Sequence, residues 1–339
     1  MIAAGGVRIA GTFFADRGSL YPPKNPMKRN ISSRQGRIAM KSPFVVCGAT
    51  GNIGARIADV LIAAGEPVRV IGRERVRLGP LASKGADAWP GEIGDTAFLE
   101  KAFSGARGAF ILIPPRYDAT DFRGYQDRLG ASLAAALSKA RVPRIVALSS
   151  IGSHLDKGTG PILGLHDLEN RLGTLKDVEV VCLRPAYFME NHLWSVPLIR
   201  SQGINGSPIR GDVPLPMIAT KDIADAAVRL LVEGGFHGHE VRYLLGPRDL
   251  TMSEATRIIG EAIGNPGLTY VRFAEEDARK AMAGAGMSAN VVDAMLEMQR
   301  GFNAGIIRPT RERSAASTTP TTLESFSKSS FAAAYRVAA

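Results

Sequence analysis

The chain has 339 residues, 45% hydrophobic and 22% charged, enough apolar material for one large α/β unit or two coupled ones. Its net charge of +10 is uneven: residues 1–39 hold seven basic side chains against one acid, a balance of +6, which leaves +4 for the rest. The basicity belongs to one end, so nucleic acid is not an expected partner; no apolar run approaches the roughly 18 residues of a membrane span, so neither is a bilayer.

Residues 1–39 show no sustained periodicity. YPPKNP is a proline-rich breaker and KRNISSRQGR is polar and basic, so the segment reads as a disordered extension. Its Arg- and Ser-containing, acid-poor composition also fits a targeting peptide. Met40 stands directly before Lys41-Ser42-Pro43 and the first strand, and our reading starts translation there, with 1–39 an artefact of start-site choice.

An apolar strand over 44–47 then meets Gly48, Gly51 and Gly54, and an apolar helical face follows at Ile53, Ile57, Val60, Leu61 and Ala64. Strand, glycine turn and helix N-terminus are the parts of a pyrophosphate-binding device: Gly48 allows the tight turn, Gly51 lets the phosphates approach, and Gly54 lets helix pack on strand. Residues 67–73 form the second strand, ending in Arg73, 19 residues after Gly54. An acid at that position binds a free ribose 2′-hydroxyl, whereas an Arg accommodates a 2′-phosphate, so NADP(H) is preferred over NAD(H).

Further strands are expected over 85–92, 108–113, 144–148 and 178–184, separated by helices that include one over 118–140 and one over 163–175. This alternation predicts a doubly wound parallel sheet of the Rossmann type, with ligands beyond the strand carboxyl ends. Ile113, Pro114, Arg116, Ser149, Ser150 and Pro185 stand at those ends. Tyr187-Phe188-Met189-Glu190-Asn191-His192 follows, a loop with aromatic and hydrogen-bonding groups suited to a nicotinamide and a substrate. Ile113, Pro114, Ser149, Pro185 and Tyr187 are expected to border the cofactor; Ser150, Phe188, Glu190 and Asn191 are expected to border the substrate. Thr220 is placed to cap a helix through Leu231, and Thr251-Met252-Ser253-Glu254 reads as a capping box. The domains are read as 40–235 for the cofactor domain and 236–339 for a smaller, mostly helical lobe, with parts of 156–216 also lining the cleft. Cys47 and Cys182 fall in apolar strands, as reduced core cysteines of a cytoplasmic protein do. His237-Gly238-His239-Glu240 has no further His or Cys cluster nearby, and no metal site is expected.

Several stretches together carry a family likeness: GATGNIG, VIGR, SSIGS, LHDLENRL, LRPAYFMEN, IATKDIADAA, LLGPRDLTMSEA and TTPTTLESF. From about residue 42 onward the chain resembles the NmrA-like family, atypical members of the short-chain dehydrogenase/reductase superfamily. The resemblance implies a Rossmann domain binding NADP(H) and a helical lobe closing over a cleft. Gly48, Gly51 and Gly54 match the pyrophosphate loop, Thr50, Asn52 and Ile53 its intervening positions, and Arg73 the 2′-phosphate position. Ordinary superfamily reductases use a Ser with a Tyr-x-x-x-Lys pair. Ser150 matches that Ser, but the helix due to carry Tyr and Lys reads His166-Asp167-Leu168-Glu169-Asn170, and the chain contains no Tyr-x-x-x-Lys.

His166 and Tyr187 are then the candidate proton donors, each set against a bland alternative: a hydrogen-bonded helix-face histidine, and a ring lining the pocket. The leading expectation is an NADPH-dependent oxidoreductase passing hydride to a small-molecule electron acceptor, a quinone or other electrophilic carbonyl, which needs less proton delivery than a ketone. The second is a non-catalytic NADP(H) sensor that regulates a partner protein, motivated by the missing Tyr/Lys pair.

Overall fold

A computed structural model describes residues 41–337. The extension over 1–39 and the start at Met40 lie outside the described residues.

The first half runs β1 (Phe44–Cys47), α1 (Asn52–Ala63), β2 (Val68–Gly72), α2 (Arg75–Ala82), β3 (Asp87–Pro90), α3 (Thr96–Phe103), β4 (Gly108–Ile111), α4 (Phe122–Ala140), β5 (Arg144–Leu148), α5 (Leu163–Gly173) and β6 (Glu179–Pro185). Then come β7 (Tyr187–Phe188), α6 (Val196–Gln202), β8 (Ile204–Ser207), β9 (Leu215–Ile218), α7 (Thr220–Glu233), β10 (His239–Leu244), β11 (Asp249–Leu250), α8 (Met252–Ala262), β12 (Thr269–Arg272), α9 (Glu275–Gly284), α10 (Ala289–Asn303), α11 (Leu323–Phe326) and α12 (Ala332–Val337).

Seven strands form one parallel sheet in the order β10-β6-β5-β4-β1-β2-β3. Its central strands are apolar without interruption because both faces are covered. In β1, Phe44 and Val46 enter the core under α1 and α7, while Val45 and Cys47 enter the core under α3 and α4. Burial alone pushes the Cys47 thiol up to about 12, so it is an inert core group. Strand order turns back between β1 and β4, and the crevice above that switch point is where such sheets take ligands.

Several sequence expectations move at their edges. The fourth strand stops at Ile111, leaving Leu112 and Ile113 in the mouth loop, and α4 begins at Phe122 because the Asp121 carboxylate caps it, accepting from Gly124 N at 2.8 Å. Thr220 is not a cap. It is the first residue of α7, and both its amide and its hydroxyl donate to Glu190, which caps the helix from outside. The Thr251–Glu254 capping box is present in full. The sheet also runs past the boundary expected at 235/236, because β10 adds to β6 beyond it and closes that edge with main-chain hydrogen bonds.

Helix α10 covers the mouth of the sheet. Helix α10 lies against the 3-10 turn Gly160–Ile162, where a Cβ on Gly160 would meet Ala294 O at 1.9 Å, so only glycine allows the approach. The C-terminal segment packs back: Asp222 accepts from Thr321 N and Oγ1 at 2.9 and 2.6 Å, and Phe326 and Phe331 are buried. Among the described residues no helix is long and apolar enough to cross a membrane.

Candidate active site

The glycine turn brings the start of α1 to the crevice. Gly48 has φ +65, and a Cβ on Gly54 would sit 2.4 Å from Gly48 O and 2.7 Å from its carbonyl carbon. Helix and turn therefore touch backbone to backbone. Gly51 is the N-cap of α1; no side chain caps the helix and no acid lies in its first turn. The first amides, from Asn52, Ile53 and Gly54, are thus left for an anion, with the helix dipole behind them. These features fit a dinucleotide pyrophosphate. Ile53 itself is a core residue, while Thr50 and Asn52 are accessible. Gly72 packs on Thr50, with 3.2 Å from a built Cβ to Thr50 Cγ2, and this sets Arg73, exposed and in no ion pair among the described residues, beside the loop.

Next to this loop lies a small open cleft of about 80 Å³. Leu112, Ile113, Pro114 and Pro115 form one wall, Leu148, Ser149 and Phe188 come from the ends of β5 and β7, and Val291 and Met295 of α10 cover it. The loop after β4 is pinned by α10: Ser288 N donates to Tyr117 O at 2.9 Å, and Asn290 Oδ1 accepts from Phe122 N at 2.9 Å. Tyr117, Gln126 and Ser149 bring the polar side chains of the lining.

The expected mouth residues divide. Ile113, Pro114, Ser149 and Phe188 line the cleft; Tyr187, Ser150, Pro185, Glu190, Asn191 and His166 do not. Tyr187 was expected beside the cofactor, but β7 is a strand and its two residues face opposite ways. Phe188 takes the cleft face. Tyr187 packs against the rings of His192 and Phe302 with Asn191 beside its hydroxyl, and burial drives its phenol pKa well up. His192 is likewise buried, which lowers its pKa to about 4 and keeps it neutral. Ser150 is fully buried and donates to Ile151 O. Pro185 is buried in the sheet, where its carbonyl accepts from Ile151 N at 3.1 Å. Glu190 is held by Thr220; burial raises its pKa against the lowering effect of those bonds.

His166 and Asn170 occupy the helix positions where Tyr and Lys are usual, and they bond to each other. Nδ1 donates to Ser153 O at 2.8 Å, so Nε2 is the acceptor and takes a hydrogen from the Asn170 amide at 2.9 Å. Both ring nitrogens are occupied within the chain.

One turn of the same helix brings in an ion pair that sequence reading overlooked. Glu169 forms a two-point bond with Arg184, Nε–Oε1 3.0 Å and Nη2–Oε2 2.5 Å, each side chain only 11% exposed. Arg184 also donates to the Tyr243 hydroxyl, which bonds to Thr310. Ser149 donates to the same Glu169 carboxylate and pairs with Ser153 Oγ at 2.9 Å. Its hydrogen is therefore directed into the protein, and its oxygen accepts from the Ser153 hydroxyl.

Comparison with known proteins follows this geometry. The sequence matches the NmrA-like family over residues 40–327. The NAD(P)H azoreductase of Xenophilus azovorans is 28% identical over 258 residues, 75% of this chain and 85% of that protein. An NADPH-dependent quinone oxidoreductase of Escherichia coli, in complex with NADPH, superposes with a TM-score of 0.71 at 21% identity, covering 85% of this chain and 99% of that one. A Citrobacter triphenylmethane reductase in complex with NADP(H) gives 0.67 at 20% identity, over 80% and 92%. At these identities the two structures speak for the fold. The family match takes in the glycine loop, the whole parallel sheet and the helix over the cleft, and the chain belongs to the NmrA-like family.

Proposed function

We propose that this protein is an NADPH-dependent oxidoreductase that reduces a flat electrophilic acceptor, a quinone or a related carbonyl. The observation that carries the proposal is the apolar cleft opening beside an uncapped helix N-terminus behind a glycine turn. The activities of the azoreductase relative and of the quinone oxidoreductase and dye reductase of similar fold agree with it.

In this reading the amides of residues 52–54 hold the pyrophosphate, Gly51 lets it approach, and Arg73 receives the 2′-phosphate. Ile113 and Pro114 flank the nicotinamide. Ser149, in the cleft lining, takes a hydrogen bond from an amide N–H group on its second lone pair. NADPH, when bound, supplies the hydride. Phe188, Val291 and Met295 keep the acceptor flat and exclude water. His166 and Asn170 keep α5 in place and hold no proton for the reaction.

Two measurements test this. Purified protein with NADPH and a panel of quinones and aldehydes should consume NADPH with the quinones. Cofactor binding without turnover on any acceptor would favour the sensing role and a protein partner instead. Arg73→Ala should weaken NADPH binding about 10- to 150-fold, the loss of one bond to a charged phosphate, and leave NADH nearly unchanged. Equal losses for the two nucleotides by calorimetry would remove Arg73 from the site.

A further inference from the structure

Resting on the reductase reading, we infer that Tyr117 is the residue that binds the acceptor's oxygen and stabilises the negative charge it gains. Of the polar side chains that line the cleft, Tyr117 is the one whose polar atom bonds to nothing among the described residues. Ser149 donates its hydrogen to Glu169. Gln126 donates one amide hydrogen to Pro161 O at 2.8 Å, its oxygen accepts from Arg123, and its amide is buried against Gly164 of α5. The Tyr117 hydroxyl is buried and has no hydrogen-bond partner among the described residues. A buried donor without a partner costs free energy, so a position lining a ligand cleft that retains one is explained by a partner the ligand brings.

The rest of Tyr117 is fixed. Its carbonyl accepts from Ser288 N at the start of α10, and its ring meets Trp194 edge-on, with centroids 6.2 Å apart at 83°. The phenol is thereby preorganised, as a donor to a developing anion must be. Burial drives its pKa well up, so it stays protonated. Hydride addition to a quinone gives the acceptor two electrons and one hydrogen and leaves NADP⁺ and a hydroquinone anion. Tyr117 O–H hydrogen-bonds the anionic oxygen without giving up its proton. Water supplies the second proton as the hydroquinone leaves.

The test uses the full chain and Tyr117→Phe, with 4-nitrophenolate as a stable mimic of the hydroquinone anion. Its visible absorption reports ionised probe at the site, with NADP⁺ present or absent. Tyr117→Phe should bind the probe about 10- to 150-fold more weakly and lower kcat for benzoquinone about 100-fold. NADPH affinity and melting temperature should hold, since the hydroxyl removed bonds nothing in the protein. 3-Fluorotyrosine at position 117, a more acidic donor of the same shape, should tighten probe binding. Unchanged probe affinity and kcat in Tyr117→Phe would overturn the inference, as would a wild-type protein that fails to bind the probe. Wild-type protein that reduces no acceptor but loses the probe on Tyr117→Phe would uphold the donor and remove the reductase reading.

Discussion

Gly54→Ala should cost this protein both its cofactor and part of its stability. The added Cβ would lie 2.4 Å from Gly48 O, 2.7 Å from Gly48 C and 3.1 Å from Ala49 Cα. All three are backbone atoms, so no rotamer change relieves the clash; helix or turn must move. Overpacking of this kind costs about 1–3 kcal/mol. The same displacement takes the first-turn amides away from the pyrophosphate. Losing two charge-assisted bonds, at about 1.5–3 kcal/mol each, weakens NADPH binding more than 100-fold. Gly51→Ala is the informative contrast. A Cβ there meets Gly48 O at 3.5 Å, an ordinary contact, but lies where the phosphates approach. It should fold with an unchanged melting temperature and still bind NADPH poorly. A Gly54→Ala protein with wild-type stability and NADPH affinity would show that the helix–turn contact is not needed.

Arg184→Met should destabilise the fold by about 3–5 kcal/mol, because it leaves the Glu169 carboxylate largely buried without a counter-charge, with only the Ser149 hydroxyl bonded to it. The guanidinium links β6 to α5 through Glu169 and to β10 through Tyr243. Removing the charge on both sides relieves most of the penalty, so Glu169→Leu with Arg184→Met should recover stability relative to Arg184→Met alone. Urea unfolding of the two single variants and the double variant measures the coupling. Additive losses, with coupling under about 0.5 kcal/mol, would mean that the pair is solvated and contributes little.

Much of the architecture is legible in local pattern. The run Phe44–Cys47 followed by GATGNIG and an apolar helical face can be read without knowing what packs on it, because each signal lies within one turn or one strand. Strand–helix alternation then predicts the parallel sheet, since parallel neighbours need crossovers. Element ends are less legible. Asp121 rather than Asp118 starts α4, as the choice among nearby acids depends on which one reaches a free amide.

The mouth of the cleft was decided otherwise. Whether Tyr187 or Phe188 faces the ligand depends on the pairing of Tyr187 with Met217 and Phe188 with Ile218, a contact across some thirty residues of chain. A one-residue change of parity moves every side chain of a strand to the other face. Ser149 reaches the cleft wall while Ser150 is sealed behind it for the same reason. Tyr117 was passed over because an aromatic three residues past Pro114 has no local pattern; α10, more than 150 residues away, gives it a place.

The sequence by itself determined that this chain carries a nucleotide-type glycine loop on a parallel sheet and lacks the Tyr-x-x-x-Lys pair. Only the tertiary structure decided which polar side chain at the cleft is left without a partner. That property depends on every partner within 3 Å, and those partners, Glu169 for Ser149 and Pro161 for Gln126, come from distant parts of the chain.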